Sequence, residues 1–385
     1  MFRALCALSL LPLLPAMARA QEKPAPEVSF SATVLMNGFY TSDKTNNVDL
    51  PQFAVRRDAS DSFPAEGVGA TLRQTRVQAR AFAAGILGGD FTALVDVDFF
   101  GGQQPSNGGR TFPLLRIRRA WARLGWDRFR ILAGQEAPPI VELNPSSLAS
   151  VGLSALSSSG NLWLWIPQLR VTGDLTGGAG PRLYLEGTVL APTGFTAQGP
   201  FLTQPDRAEQ SRRPYLQSRV GVRWGQGTTI GEISVGGHLG WLSTTGDSLL
   251  PSRAAALMVQ LPLGRLAELR GEAFVGKAIA GLGGGAVGQN FGVNGVPVRT
   301  RGGWGQLLVR PAPDWELGAS YGVDDPKDAD LDPATARLKN ETVGGHIHWR
   351  PAPLLLGLEY RYITTTYAPG KATAGHLNLA LGAEF

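Results

Sequence analysis

Apolar and polar residues alternate with a period of two along much of the chain. The clearest example is the C-terminal segment, residues 376–385, whose odd positions are all apolar: Leu377, Leu379, Leu381, Ala383 and Phe385. In an extended strand, every second side chain lies on the same face. The same alternation occurs at residues 74–83, 90–100 and 232–241. The pattern therefore predicts β-strands that have one apolar and one polar face.

Sixteen segments of this kind can be counted, and each predicts one antiparallel strand. Their centres lie near residues 34, 77, 95, 118, 131, 168, 186, 219, 236, 258, 272, 305, 318, 344, 360 and 380. The connections after even-numbered strands are short, whereas most others are longer, as at residues 41–68, 136–160 and 276–297. An even count with one short-loop end and one long-loop end is typical of a transmembrane up-and-down β-barrel, an all-β fold. A soluble β-helix or two-sheet sandwich is the alternative.

The N-terminal residues have the features of a secretory signal peptide. Arg3 precedes an apolar run at residues 5–15, and Ala18-Arg19-Ala20 fits the small-residue cleavage pattern. The mature chain is therefore expected to begin near Gln21. The predicted parts are a signal peptide, a short periplasmic stub and the barrel: residues 1–20, 21–27 and 28–385.

Composition narrows the function classes. Cys6, inside the predicted leader, is the only cysteine, so the mature chain lacks thiol chemistry, cysteine metal sites and disulfides. No later segment offers eighteen consecutive apolar residues, which argues against a helical membrane protein. The formal charge of +5 is too small to indicate a nucleic-acid partner. Tryptophans beside predicted short turns indicate contact with the interface of outer-membrane lipid: Trp126, Trp224, Trp315 and Trp349.

If the apolar faces contact lipid, the polar faces line the barrel interior. The predicted pore-lining arginines come from the first half of the chain: Arg76, Arg80, Arg116, Arg118, Arg128, Arg130, Arg170, Arg219 and Arg223. Asp96 and Asp98 lie among them. Later strands contribute acids: Glu186, Glu232, Glu272, Glu316 and Glu359. Opposed basic and acidic walls would create a transverse field and favour carboxylates or phosphates at the arginines. Alternatively, these charges pair with one another and solvate a wet interior.

Several segments stay open to two interpretations. Arg119 and Arg123 fall in the lipid-facing register, which suggests interface depth or a subunit contact. The connection at residues 136–160, whose only charged residues are Glu136 and Glu142, is either a constriction loop inside the barrel or an outward surface loop. The glycine-rich residues 281–292 lack the strand-to-helix context of a phosphate-binding loop, and an external loop is expected there.

Two histidines raise the question of catalysis or metal binding. His346 and His348 alternate on one strand face, and both would point inward, where they could hold a metal or act as a base. No carboxylate or serine motif stands beside them at a recognisable spacing, and no Gly-x-Ser-x-Gly motif is present. We therefore expect no enzyme activity, no cofactor and no metal.

Short motifs in the first half resemble those of the DcaP-like outer-membrane porins, relatives of the phosphate-selective porins. They are residues 71–76 (TLRQTR), 96–101 (DVDFFG), 115–121 (LRIRRAW), 132–135 (LAGQ) and 167–170 (PQLR). The resemblance implies a sixteen-stranded barrel, usually a homotrimer, that passes small anions including dicarboxylates. It implies constriction arginines at Arg76, Arg116, Arg118 and Arg170. Unlike many members, the chain has no heptad repeat in residues 21–27.

The sequence thus predicts an outer-membrane porin for passive diffusion of small hydrophilic solutes, with a preference for anions such as carboxylates or phosphate. The alternative is a non-channel outer-membrane barrel that acts as an adhesin or structural anchor, and an outer-membrane hydrolase ranks third. Phe385 resembles the terminal aromatic that the barrel-assembly machinery reads in porins. The last strand, ending at Phe385, must pair with the first to remove both free edges.

Overall fold

The computed structural model describes residues 25–101, 112–178, 180–194, 205–244 and 248–385. The predicted leader and residues 21–24 of the predicted stub lie outside the described residues. The strands are β1 (Glu27–Thr41), β2 (Gly67–Thr71), β3 (Arg76–Ile86), β4 (Gly89–Gly101), β5 (Leu114–Gly125), β6 (Phe129–Glu136), β7 (Ile166–Asp174), β8 (Arg182–Leu190), β9 (Tyr215–Trp224), β10 (Gly231–Ser243), β11 (Leu249–Leu263), β12 (Ala267–Lys277), β13 (Arg299–Val309), β14 (Trp315–Pro326), β15 (Arg337–Trp349), β16 (Leu354–Tyr367) and β17 (Gly370–Glu384). Short 3₁₀ turns are found at Glu209–Ser211, Gly227–Thr229, Ala280–Leu282, Ala286–Gly288, Val293–Gly295 and Asp328–Asp330.

These strands close into a barrel in which sequence neighbours pair antiparallel. β1 pairs with β17, from Thr33 opposite Glu384 to Thr41 opposite His376. On its other side β1 pairs with both β2 and β3, which are two segments of one barrel strand interrupted at residues 72–75. The barrel therefore has sixteen strands, as predicted, and every predicted strand centre lies within an observed strand. Closure excludes the sandwich and β-helix alternatives.

The two ends of the barrel differ in the length of their connections. Turns such as residues 87–88, 126–128 and 264–266 lie at one end, and the longer connections lie at the other. Short turns face the periplasm in bacterial outer-membrane barrels. The described chain ends at the short-turn end, where Phe385 and Ala32 exchange backbone hydrogen bonds of 3.0 and 2.7 Å.

Polarity is reversed relative to a soluble protein. On β15, the outward-facing Val343 and Ile347 are 55% and 48% exposed, whereas the inward-facing Thr342 and His346 are 2% and 7% exposed. An exposed apolar outer band is what a lipid solvent requires. At the short-turn end, the rings of Trp315 and Trp349 stack with centroids 6.0 Å apart, as an interfacial aromatic girdle would. The part of the chain that the structure describes contains no helix that could span a bilayer.

Candidate functional site

The connection between β6 and β7, residues 137–165, lies inside the barrel, and we call it the lumen loop. Its residues bond to strands on different sides of the wall. The Ile140 N–H donates to Gln217 of β9 at 3.0 Å, and the Asn161 amide donates to Glu272 of β12 at 2.9 Å. The Val151 N–H donates at 2.8 Å to Gln74, between β2 and β3. A loop on the outer surface could not reach all three partners.

Three of the five acids predicted to form one wall of the pore, Glu272, Glu316 and Glu359, instead hold this loop. Glu359 accepts hydrogen bonds from the backbone N–H groups of Leu148 and Ala149 and from the Ser147 hydroxyl, the last at 2.6 Å. Glu359 is only 7% exposed. The lumen loop therefore covers this carboxylate. The interpretation of an open acidic wall is therefore wrong at Glu359.

Glu272 and Glu316 also accept hydrogen bonds from the lumen loop. Glu272 accepts from the Leu162 N–H at 3.1 Å and from the Trp304 indole at 2.9 Å. Glu316 accepts from the Ser146 hydroxyl at 2.6 Å. The lumen loop thus covers the wall of the later strands, because their buried carboxylates satisfy its backbone and hydroxyl groups.

The glycine-rich residues 281–292, in the connection between β12 and β13, were predicted to form an external loop. This prediction is wrong. Leu282, Ala286 and Val287 are at most 1% exposed. Buried Asp324 of β14 accepts the Ala286 and Val287 N–H groups at 3.0 and 2.9 Å. The Leu164 N–H of the lumen loop donates to the Leu282 carbonyl at 3.2 Å. The two connections therefore pack together inside the barrel.

The opposite wall, β3 to β9, has arginines that interlock with buried acids. Asp96 accepts two hydrogen bonds from Arg76, each at 2.7 Å, and Asp98 lies 2.6 Å from Arg116. Both aspartates are completely buried. Arg118 lies 3.5 Å from Asp98 and stacks over the Trp165 ring of the lumen loop at 4.7 Å. These contacts fix the guanidinium groups in a row along the wall.

A β-bulge in β5 brings two further arginines into the lumen. Asp96 pairs with Arg119, but Val97 pairs with Ile117, so Arg118 is an extra residue on β5. A bulge reverses the alternation for the residues beyond it. Arg119 accordingly points inward and donates to Asp96 at 2.9 Å. The predicted lipid-facing register of Arg119 and Arg123 is therefore wrong, because strict alternation does not anticipate the extra residue.

A second charged cluster joins the lumen loop to β7, β8 and β9. Glu142 of the loop forms ion pairs with Arg170 and, at 2.7 Å, with Arg219. Arg219 also lies 2.7 Å from Glu186. Burial by itself would raise the pKa of Glu142, but the guanidinium groups of Arg219 and Arg170 lower that pKa to about 2. Glu142 is therefore a permanent anion at neutral pH and anchors the loop to the basic wall.

Two adjoining cavities lie between the basic wall and the lumen loop. The first, about 400 Å³, extends from Trp165 to Arg350 and Glu384 near the short turns. The second, about 350 Å³, is lined by six arginines and three glutamates: Arg119, Arg123, Arg130, Arg170, Arg219, Arg223, Glu136, Glu142 and Glu186. Arg119, Glu136 and Glu142 border both cavities. Positive charge is therefore in excess along the second cavity.

The other predicted site residues occupy varied positions. Arg130 pairs with Asp174 at 2.8 Å, and Arg223 pairs with Glu232 at 2.6 Å. Within the described part of the chain, neither Arg80 nor Arg123 has a carboxylate within 4.0 Å. Arg128 departs from the prediction. It lies in the turn between β5 and β6, and its side chain is 61% exposed. Arg128 is not on the barrel wall because β6 begins only at Phe129.

Similar solved structures have the same architecture. The outer membrane channel DcaP of Acinetobacter baumannii matches with a TM-score of 0.71 at 16% identity, covering 94% of this chain and 97% of that one. The fold is that of an outer-membrane channel. The anion-selective porin from Comamonas acidovorans matches with a TM-score of 0.60 at 13% identity, covering 94% of this chain and 100% of that one.

A Salmonella typhi OmpF structure gives a TM-score of 0.56 at 9% identity, covering 94% of this chain and 98% of that one. No protein-family model matches the chain, and no curated protein matches it in sequence. The fold implied by the resemblance to DcaP-like porins is thus confirmed.

Proposed function

We propose that this protein is an outer-membrane porin that gives passive diffusion of small hydrophilic solutes and prefers anions such as carboxylates or phosphate. The observation that carries the proposal is the one-sided lining of the lumen. The lumen loop covers the acids of the later strands, while six arginines against three glutamates border the second cavity. The channel folds of DcaP and of the anion-selective porin give independent support.

The basic wall suits transient contact rather than tight binding. Most guanidinium groups already share a carboxylate, as Arg76 does with Asp96, so a solute anion competes for them only partially. Planar guanidinium groups offer carboxylates and phosphates paired N–H donors. Fast conduction needs several weak sites in sequence. An anion would therefore move from one arginine to the next, with Arg119, Glu136 and Glu142 forming the constriction where the cavities meet.

Arg123 provides the sharpest test of the anion preference. It lines the second cavity, and its removal leaves no described carboxylate without its partner. A unit charge about 8 Å from a solute in water contributes roughly 0.5 kcal/mol. The same charge disfavours a cation by an equal amount, so we expect Arg123→Gln to lower the anion-to-cation permeability ratio about fivefold in planar bilayers, measured from reversal potentials in a salt gradient. The double variant with Arg80→Gln should lower it further.

The matched control is Arg301→Gln, which removes one positive charge from a side chain that is 78% exposed. It should leave the reversal potential unchanged. Cation preference in the unmodified protein, or equal reversal potentials for Arg123→Gln and the parent, would contradict the proposal. A folded barrel without conductance would favour the anchor or adhesin instead.

The proposed assembly is a homotrimer in outer-membrane lipid, as the resemblance implies, acting without catalysis. Its insertion would use Phe385 as the signal for the barrel-assembly machinery. Phe385 is 70% exposed beside the β1–β17 closure, a position that supports recognition before the barrel seals. Native mass spectrometry of the detergent-extracted protein would test the trimer, and a monomer would refute it.

A further inference from the structure

Two buried histidines on β15 lie against a glutamate of the neighbouring strand. The rings of His346 and His348 stack with centroids 4.0 Å apart, and their side chains are 4% and 0% exposed. Glu316 of β14 lies directly opposite His348 in the strand register. Gly318 makes room for the pair, because a Cβ at that position would lie 2.1 Å from the His346 ring. The alternation predicted that Glu316 and both histidines face inward, but only the strand pairing shows that they lie side by side.

The hydrogen bonds of His348 fix which of its nitrogens has a free lone pair. Its Nε2 lies 2.9 Å from Oε1 of Glu359, an acceptor, so Nε2 bears the proton in the neutral ring. Nδ1 then presents a lone pair toward Oε1 of Glu316 at 3.6 Å. Nε2 of His346 faces the same oxygen at 3.4 Å. Neither of these two nitrogens has a hydrogen-bond partner among the described residues.

We propose that Glu316, His346 and His348 form a Zn²⁺ site. Zinc binds imidazole nitrogen and carboxylate oxygen at about 2.0–2.1 Å, so tetrahedral ligand atoms lie about 3.4 Å apart. The two nitrogen-to-oxygen separations are 3.4 and 3.6 Å, and all three ligand atoms lie within 4.8 Å of one another. When the ion binds, the parallel rings turn so that both lone pairs converge on it, and water completes the coordination.

The surroundings suit a divalent cation. Glu359 orients His348 through Nε2, as a carboxylate commonly does for a zinc-bound histidine. Glu316 and Glu359 together carry two negative charges, which balance the ion. Arg310 lies 2.8 Å from Glu316, but it is also paired with Glu268 at 3.2 Å, so its own charge is largely compensated.

The site lies where the lumen loop is attached. Glu316 binds Ser146, and Glu359 binds Ser147, Leu148 and Ala149. An ion bound by Glu316 and the two histidines would tie β14 to β15 beneath the loop, and the bond from His348 to Glu359 links this pair to β16. Zinc is thus a structural ligand that fastens the loop to the wall, and it is independent of the anion preference.

The test uses the full-length mature protein without a histidine tag, folded in detergent and stripped with EDTA. Titration with ZnCl₂ against a chromophoric chelator should show one Zn²⁺ bound per chain. His346→Gln and His348→Gln should each weaken binding at least a hundredfold, and Glu359→Gln should weaken it about ten- to hundredfold. The matched control, His238→Gln, removes another buried histidine from β10 and should leave zinc binding unchanged.

Heat-modifiability on gels shows which variants remain folded barrels. If the histidine variants fail to fold, Co²⁺ substitution of the parent decides, because a tetrahedral site with nitrogen ligands gives an intense visible spectrum. Absence of that spectrum, or no zinc bound by the stripped parent, would overturn the proposal and leave a proton shared between His348 and the glutamates. Zinc binding that persists in both folded histidine variants would also overturn it.

Discussion

Gln74 offers a direct test of how the lumen loop is held. Its side chain is completely buried between β2 and β3. It accepts hydrogen bonds from the Val151 and Gly152 N–H groups, each at 2.8 Å, and donates to the Ala149 carbonyl at 2.8 Å. Gln74→Leu keeps a similar volume but removes all three bonds. Each neutral hydrogen bond contributes about 1 kcal/mol, so the variant should weaken attachment of this segment by about 3 kcal/mol.

A loss of that size raises the detached population roughly a hundredfold. The segment already lies against the wall and borders the first cavity, so on detachment it can only move into the lumen. Single-channel recordings of Gln74→Leu should therefore show more frequent closures and a lower mean conductance. Gln226→Leu, in the exposed turn between β9 and β10, is the control and should give quiet traces like the parent. Indistinguishable traces for Gln74→Leu would refute this account of the loop.

Two further predictions concern the Glu142 ion pairs that hold the lumen loop and the C-terminal Phe385. The pKa of Glu142 is lowered to about 2 from its ordinary 4.5, so the stability it contributes is present above pH 4.5 and is lost as the pH falls toward 2. Channel closures should become more frequent in recordings below about pH 4. Glu142→Gln has no carboxyl group to protonate, so its closures should not increase at low pH for this reason. If its closures increase with acid as much as the parent's do, Glu142 is not the source of the pH dependence. Deletion of Phe385 should reduce the yield of heat-modifiable barrel in the outer membrane, whereas the channels that do form should keep the parent's reversal potential; normal yield would contradict a role in assembly.

Strand positions were predictable because lipid imposes a strict rule on every strand. An outward Arg or Lys side chain costs about 2–4 kcal/mol at the bilayer centre, so period-two alternation is favoured across each crossing. The segment around residue 380 shows this: Leu377 and Leu379 point outward, while Asn378 is buried inside. The same rule failed at Arg119, because the extra residue Arg118 shifts the following residues to the opposite face of the strand. No periodicity in the sequence signals such an extra residue.

The sequence predicted which charged residues face the lumen, but not which groups they bond to. Alternation correctly placed Glu359 and Glu272 inside the barrel, yet their partners are backbone N–H groups of Ala149 and Leu162. Those amides belong to a loop of small and apolar residues, and backbone donors leave no trace in side-chain composition. An inward loop needs buried acceptors on the wall, and this wall supplies carboxylates. The acids that suggested an acidic wall are covered by the loop whose amides donate to them, so in the proposed pore the arginines of β3 to β9 would form the exposed charged surface.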